Sequence, residues 1–118
     1  MAVTNEQLEA VGIDVEPTLA RFMNNTDFLL RMLGMFVSEN AAANMEEALN
    51  SGDPDAIERA FHAVKGTSAN LGLATLSSAC STVVEAKRSG QMENIQQQGE
   101  DAINLCRATY EKIAALTA

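Results

Sequence analysis

The chain holds one histidine, His62. An imidazole titrates near pH 6.5, so at neutral pH one ring nitrogen keeps a free lone pair and serves as a nucleophile without an activating base. If His62 lies on a helix, the residues sharing its face at i−4, i+3, i+4 and i+7 are Glu58, Lys65, Gly66 and Ala69. Lys65 is placed to reach a group attached to the ring. A phosphoryl group there would carry up to about two negative charges, and one ammonium beside it is worth roughly 1 to 4 kcal/mol between the water and near-surface limits. Gly66 is the unusual neighbour, because a glycine inside a helix costs about 1 kcal/mol relative to alanine. One turn beyond His62, a missing Cβ would let a phosphoryl group or another protein's backbone come close to the imidazole. The plainer alternatives are a boundary histidine, a solvated lysine and a glycine that admits a neighbouring helix.

Other chemistries lack their residues. The seven glycines form no GxxxxGK or GxGxxG grouping, so phosphorylation from ATP by the chain itself is not indicated. No GxSxG occurs, and His62 has a glutamate rather than a serine on its own face, which argues against a serine hydrolase. A zinc site would need His62, the well-separated Cys80 and Cys106 and a carboxylate, and no ExxH pair suggests a metal bundle.

The histidine's position depends on the helices around it. Asp53-Pro54 after Asn50-Ser51-Gly52 reads as a cap and first helical residue, and the stripe Ile57, Phe61, Val64, Ser68, Leu71 then runs to Gly72, a natural C′ residue. His62 follows the core residue Phe61 by one position, about 100° around the helix, and so falls on the flank near solvent. Upstream, Thr26 is the expected N-cap of a first long helix from Asp27 to Leu49, with Phe28, Leu29, Met32, Leu33, Phe36, Ala43 and Leu49 facing inward. Downstream, Leu73, Leu76, Cys80 and Val83 mark a third helix that ends at Gly90. Met92, Ile95, Gly99, Ala102, Ile103, Cys106, Tyr110, Ile113 and Leu116 mark a fourth. Four amphipathic segments with short connections predict an all-α, antiparallel up-down four-helix bundle over about residues 26–117. Residues 1–25 differ: Glu6–Val11 and Pro17–Met23 each support one or two turns and should pack across one end. Among Met23, Met32 and Met35, core filling is the expectation for Met32, and a plastic partner surface is the alternative for the group.

One domain spanning 1–118 suits the length, and the helix-favouring mixture includes only 4% aromatic residues and no Trp. No apolar run reaches the roughly 20 residues of a membrane span, and the start MAVTNEQLEAVGIDV lacks a basic segment leading into an apolar one, so a cytoplasmic protein is expected. The net charge of −8 sits entirely in residues 1–61, with 3 basic and 11 acidic residues, against 5 and 5 in 62–118. Such a chain is poorly suited to nucleic acid or anionic lipid and points to a protein partner. Cys80 and Cys106 fall on apolar stripes as reduced core thiols, and no long heptad seam argues for anything but a monomer.

The run His62-Ala63-Val64-Lys65-Gly66-Thr67-Ser68-Ala69-Asn70-Leu71-Gly72 resembles the signature of histidine-containing phosphotransfer (HPt) domains. In that signature a histidine, an aliphatic residue, a lysine, a glycine, two small or hydroxyl residues, a further aliphatic residue and a closing glycine hold fixed places. Gly12-Ile13-Asp14-Val15 and Ala20-Arg21-Phe22 resemble the family's entry segment, and Gly52-Asp53 precedes the active helix. The resemblance implies that His62 accepts a phosphoryl group from a receiver-domain aspartate and passes it to another receiver, with Lys65 steadying the charge and Gly66 giving access. Implied partners are response-regulator receivers and a hybrid sensor kinase. The chain would need no cofactor of its own, Mg²⁺ belonging to the receiver, and it would be a phosphocarrier rather than an enzyme. Members often carry a polar residue 22 positions after the histidine. Val84 stands there, so no second hydrogen bond to the imidazole is assigned. Arg88, 26 positions on and offset by about 9 Å along its helix, is read as a docking residue. Val11 and Ile13 are read as the apolar part of the docking surface. The alternative is a helical-bundle interaction module without phosphate, whose usual sign, loss of the histidine, is missing here.

Overall fold

The computed structural model describes residues 2–116, and among them every regular element is helical. Two short helices, α1 (Asn5–Val11) and α2 (Val15–Arg21), precede α3 (Thr26–Glu39), α4 (Ala41–Ser51), α5 (Pro54–Asn70) and α6 (Ala74–Arg88). A single 3₁₀ turn (Met92–Asn94) leads into α7 (Ile95–Leu116). Helices α4, α5, α6 and α7 pack each on the next and α4 closes on α7, while α1 and α3 lie along α7.

The expected first long helix is instead two helices broken at Asn40. Asn40 adopts left-handed dihedrals (φ 49°, ψ 50°) and caps α3 by donating its backbone N–H to the Val37 carbonyl at 3.1 Å. Asparagine tolerates this conformation better than most residues. The break shifts the helical phase, so α4 buries Ala42, Met45, Ala48 and Leu49 and leaves Ala43 exposed, against the continuous stripe expected. No side chain of Asn40 caps α4; the Tyr110 hydroxyl accepts the Ala42 N–H at 3.2 Å instead, with the Tyr110 ring edge-on to Phe36 at 5.2 Å. Two other boundaries also move. Asn25, not Thr26, caps α3 by accepting the Phe28 N–H, and α2 begins at Val15 and ends before the left-handed Met23 and Asn24.

From Pro54 onward the elements follow the apolar spacing. Asp53 accepts the Asp55 N–H at 3.1 Å as the cap of α5, and Ile57, Phe61, Val64, Ser68 and Leu71 are buried. Cys80 and Cys106 are fully buried and free, and burial pushes the Cys80 thiol up to about 12, so neither is poised as a thiolate. Met32 packs against the core as expected, while Met23 and Met35 are exposed.

Helices α1 and α2 pack over the α5–α6 turn. Ile13 and Leu73 form an antiparallel bridge, the Asp14 N–H donates to the Gly72 carbonyl at 2.9 Å, and Arg21 donates to the Ala69 and Asn70 carbonyls at 3.1–3.2 Å. Arg21 thereby satisfies the Asn70 carbonyl at the end of α5, adds a side-chain donor to the Ala69 carbonyl that also accepts the Gly72 N–H, and places a cation at the negative pole of that helix.

Candidate functional site

The backbone of α5 is fixed on both sides of His62. Phe61 and Val64, its core neighbours, are 0% and 1% exposed, so the adjacent flank must face outward, and His62 is exposed there. One turn on, the Lys65 carbonyl accepts the Ser77 hydroxyl of α6 at 3.0 Å and the Ser68 hydroxyl at 3.2 Å. The Lys65 side chain is half-buried, and its ammonium makes no ion pair among the described residues. Arg59, which lines the His62 depression, likewise makes no ion pair among the described residues.

Gly66 is exposed, and a Cβ built on it would meet nothing within 4 Å. Close helix–helix packing therefore does not explain this glycine. Alanine there is expected to stabilise the fold by about 0.5–1 kcal/mol, the helix-propensity difference. Gly34 of α3 is equally open and helical, and Gly34→Ala should give a similar gain. Thermal melts of both variants check the pair.

The bonds between α5 and α6 show that the two helices run antiparallel: Ser77 reaches Lys65, whereas Lys87 and Arg88, ten and eleven residues later, reach Asp55 and Glu58. This register brings Arg88 beside His62. The two residues line one depression of about 270 Å³ together with Asp55, Glu58 and Arg59. The expected offset along the helix persists as about one turn, because Arg88 stands level with Glu58, the turn before His62, and its long side chain still lines the depression the histidine shares. Val84 is fully buried and adds nothing to the face.

Glu58 is the hub of this depression. Lys87 Nζ lies 2.8 Å from Glu58 Oε1 and 3.1 Å from Asp55, and Arg88 Nε donates to Glu58 Oε2 at 3.1 Å. Hydrogen bonds from Lys87 and then Arg88 hold the Glu58 carboxyl below its ordinary 4.5, and Glu58 followed by Asp55 raises Lys87. Helical spacing makes Glu58 a face-sharing neighbour of His62 but assigns it no cation; its pairing with Lys87 and Arg88 depends on the register of α5 on α6. Arg59, Lys65, Lys87 and Arg88 are half of the chain's eight basic residues, so four cations gather around the histidine, with Asp55, Glu58 and, at 4.0 Å from Arg88, Glu85 as the carboxylates, in a chain of net charge −8.

Val11 and Ile13 are not part of this face. They are 6% and 3% exposed and belong to the core, where the α1–α2 connection folds over the α5–α6 turn. Their reading as an exposed apolar docking surface is therefore corrected. No group of His, Cys, Asp or Glu side chains suited to a metal ion occurs among the described residues, and no described helix is long and apolar enough to cross a membrane.

The model of the Hpt domain family matches residues 31–116, from within α3 to the end of α7. The chain belongs to that family, whose general activity is histidine phosphotransfer in phosphorelays, as a carrier module without a nucleotide site. No curated protein and no solved structure matches it.

Proposed function

We propose that this chain is a monomeric cytoplasmic phosphorelay intermediate, one domain whose α4–α7 form an antiparallel up-down four-helix bundle. It takes a phosphoryl group onto His62 from a receiver aspartate and hands it to a second receiver. The observation that carries the reading is the exposure of the chain's one histidine on a rigid helix, beside an uncommitted Lys65 and an open Gly66. A lone-pair nitrogen of the neutral imidazole attacks phosphorus as the bond to the aspartate oxygen breaks. That electron pair stays on the carboxylate, and the phosphorylated ring retains its other N–H. The receiver supplies the acyl phosphate and Mg²⁺; Lys65 offsets phosphoryl charge, and the bare backbone at Gly66 leaves room for the receiver's loops. Transfer of this kind depends on alignment and charge neutralisation more than on covalent machinery.

The test is transfer from a panel of phosphorylated receivers, scored for acid-labile, base-stable label. With one histidine in the chain, such label locates itself. Binding of receivers without label across the panel would favour a phosphate-free interaction module. Lys65→Ala should slow transfer by about tenfold, the equivalent of a charge-assisted contact worth about 1.4 kcal/mol, with circular dichroism unchanged. Gly66→Ala should slow it too, despite raising stability, while Gly34→Ala should leave the rate alone. Equal rates in both glycine variants would remove access as the role of Gly66.

A further inference from the structure

We propose that Glu58 is a built-in competitor for Arg88, holding the guanidinium while His62 is bare and yielding it to the phosphoryl group when His62 is charged. The inference rests on the carrier reading of His62. Arg88 and Glu58 line the same depression as His62, so a phosphoryl group on the ring introduces its charge next to an existing carboxylate. The two anions then compete for the cations that Glu58 holds, Lys87 and Arg88, while Arg59, on α5 itself, lines the depression without an ion pair to give up.

Geometry selects Arg88. Its side chain is 48% exposed against 24% for Lys87, it lines the depression, and it holds Glu58 through one short contact. Its other carboxylate, Glu85, stands at 4.0 Å. Lys87 instead bridges Asp55 and Glu58 at 3.1 and 2.8 Å. If Arg88 leaves, Glu58 keeps Lys87; if Lys87 left, Asp55 would lose its cation. A planar guanidinium also suits phosphoryl oxygens better than an ammonium. Arg88 is thus a phosphoryl-binding residue, and Glu58 is a positioning residue that acts through it and lowers the affinity of His62 for phosphate.

The experiment charges the full chain in a phosphoramidate–ammonium mixture of fixed ratio and reads the occupancy of His62 by ³¹P NMR. No receiver is needed. Arg88→Gln should lower the equilibrium constant for charging about threefold and Glu58→Gln should raise it about threefold, the scale of one partly exposed charge contact. The double variant should lie close to Arg88→Gln, because the restraint on Arg88 is gone and Lys87 still offsets the Glu58 charge, and Arg88→Lys should recover part of the loss. On charging, the Arg88 Nε–H resonance should shift. Additive single effects, a Glu58→Gln that lowers or fails to change occupancy, or an unmoved Arg88 resonance would each overturn the proposal while leaving label on His62 intact. A wild type that takes no label would overturn the carrier reading and this one with it.

Discussion

His62→Gln should abolish acid-labile labelling by any receiver while leaving the fold and receiver binding intact. Glutamine offers hydrogen-bonding groups of similar reach but no nucleophilic lone pair on nitrogen, because the amide nitrogen's pair is delocalised. No other side chain substitutes. The chain has no second histidine, and the cysteines are buried with Cys80 pushed far from the thiolate form. The structural cost should be small, since His62 is exposed, makes no hydrogen bond or ion pair among the described residues, and gives way to a residue that favours helices more. A surface change of this kind lies within about 0.5 kcal/mol, or a few degrees in Tm. Transfer assays and thermal melts on the same preparation check both halves. Residual acid-labile label on the glutamine variant would place the phosphoryl group elsewhere and remove His62 from the centre of the mechanism.

What the sequence reveals of this molecule divides at the points where local pattern gives way to register. The stripes of α5, α6 and α7 are legible because each runs unbroken between strong signals: Asp53-Pro54 opens one, Gly72 and Gly90 close two, and the buried positions recur every three or four residues. Asn40 is not legible in this way. It stands between helix-compatible residues on both sides, and its left-handed backbone is accompanied by the Tyr110 hydroxyl bonding the start of α4 from sixty-eight residues away in sequence. The same division governs the site. His62, Lys65 and Gly66 share a helical face, so spacing alone groups them. Arg88 and Lys87 join Glu58 only through the antiparallel register of α5 on α6, and Val11 and Ile13 become core only because α1 and α2 pack over the α5–α6 turn. Charge counted along the chain misleads for the same reason: the acidic half contributes Asp55 and Glu58 to the histidine face, but α6 covers them with cations.

Gly72→Ala should cost about 2–5 kcal/mol and lower Tm by roughly 10–20 °C. Two terms add. Gly72 has φ +77°, a left-handed backbone that costs an L-residue about 1–2 kcal/mol. A Cβ there would also fall on the Thr18 hydroxyl oxygen, 2.9 Å from Thr18 Cβ and 3.1 Å from Ile13 Cγ2. Thr18 is fully buried and its hydroxyl accepts from Arg21, so it has no free path of retreat, and relief would come by lifting α2 off the end of α5. Gly90→Ala is the matched control, with φ +76° and nothing within 4 Å, so it should show the backbone term alone. If the two variants melt alike, the clash with α2 is not what makes position 72 a glycine. At temperatures well below its own Tm, Gly72→Ala should still carry phosphate at close to the wild-type rate, because position 72 closes the end of α5 and lies ten residues past the histidine. That outcome would separate the eleven-residue run from His62 to Gly72 into two parts with different physics: His62, Lys65 and Gly66, proposed to meet the phosphoryl group, and Leu71 and Gly72, which form the turn that seats α1 and α2.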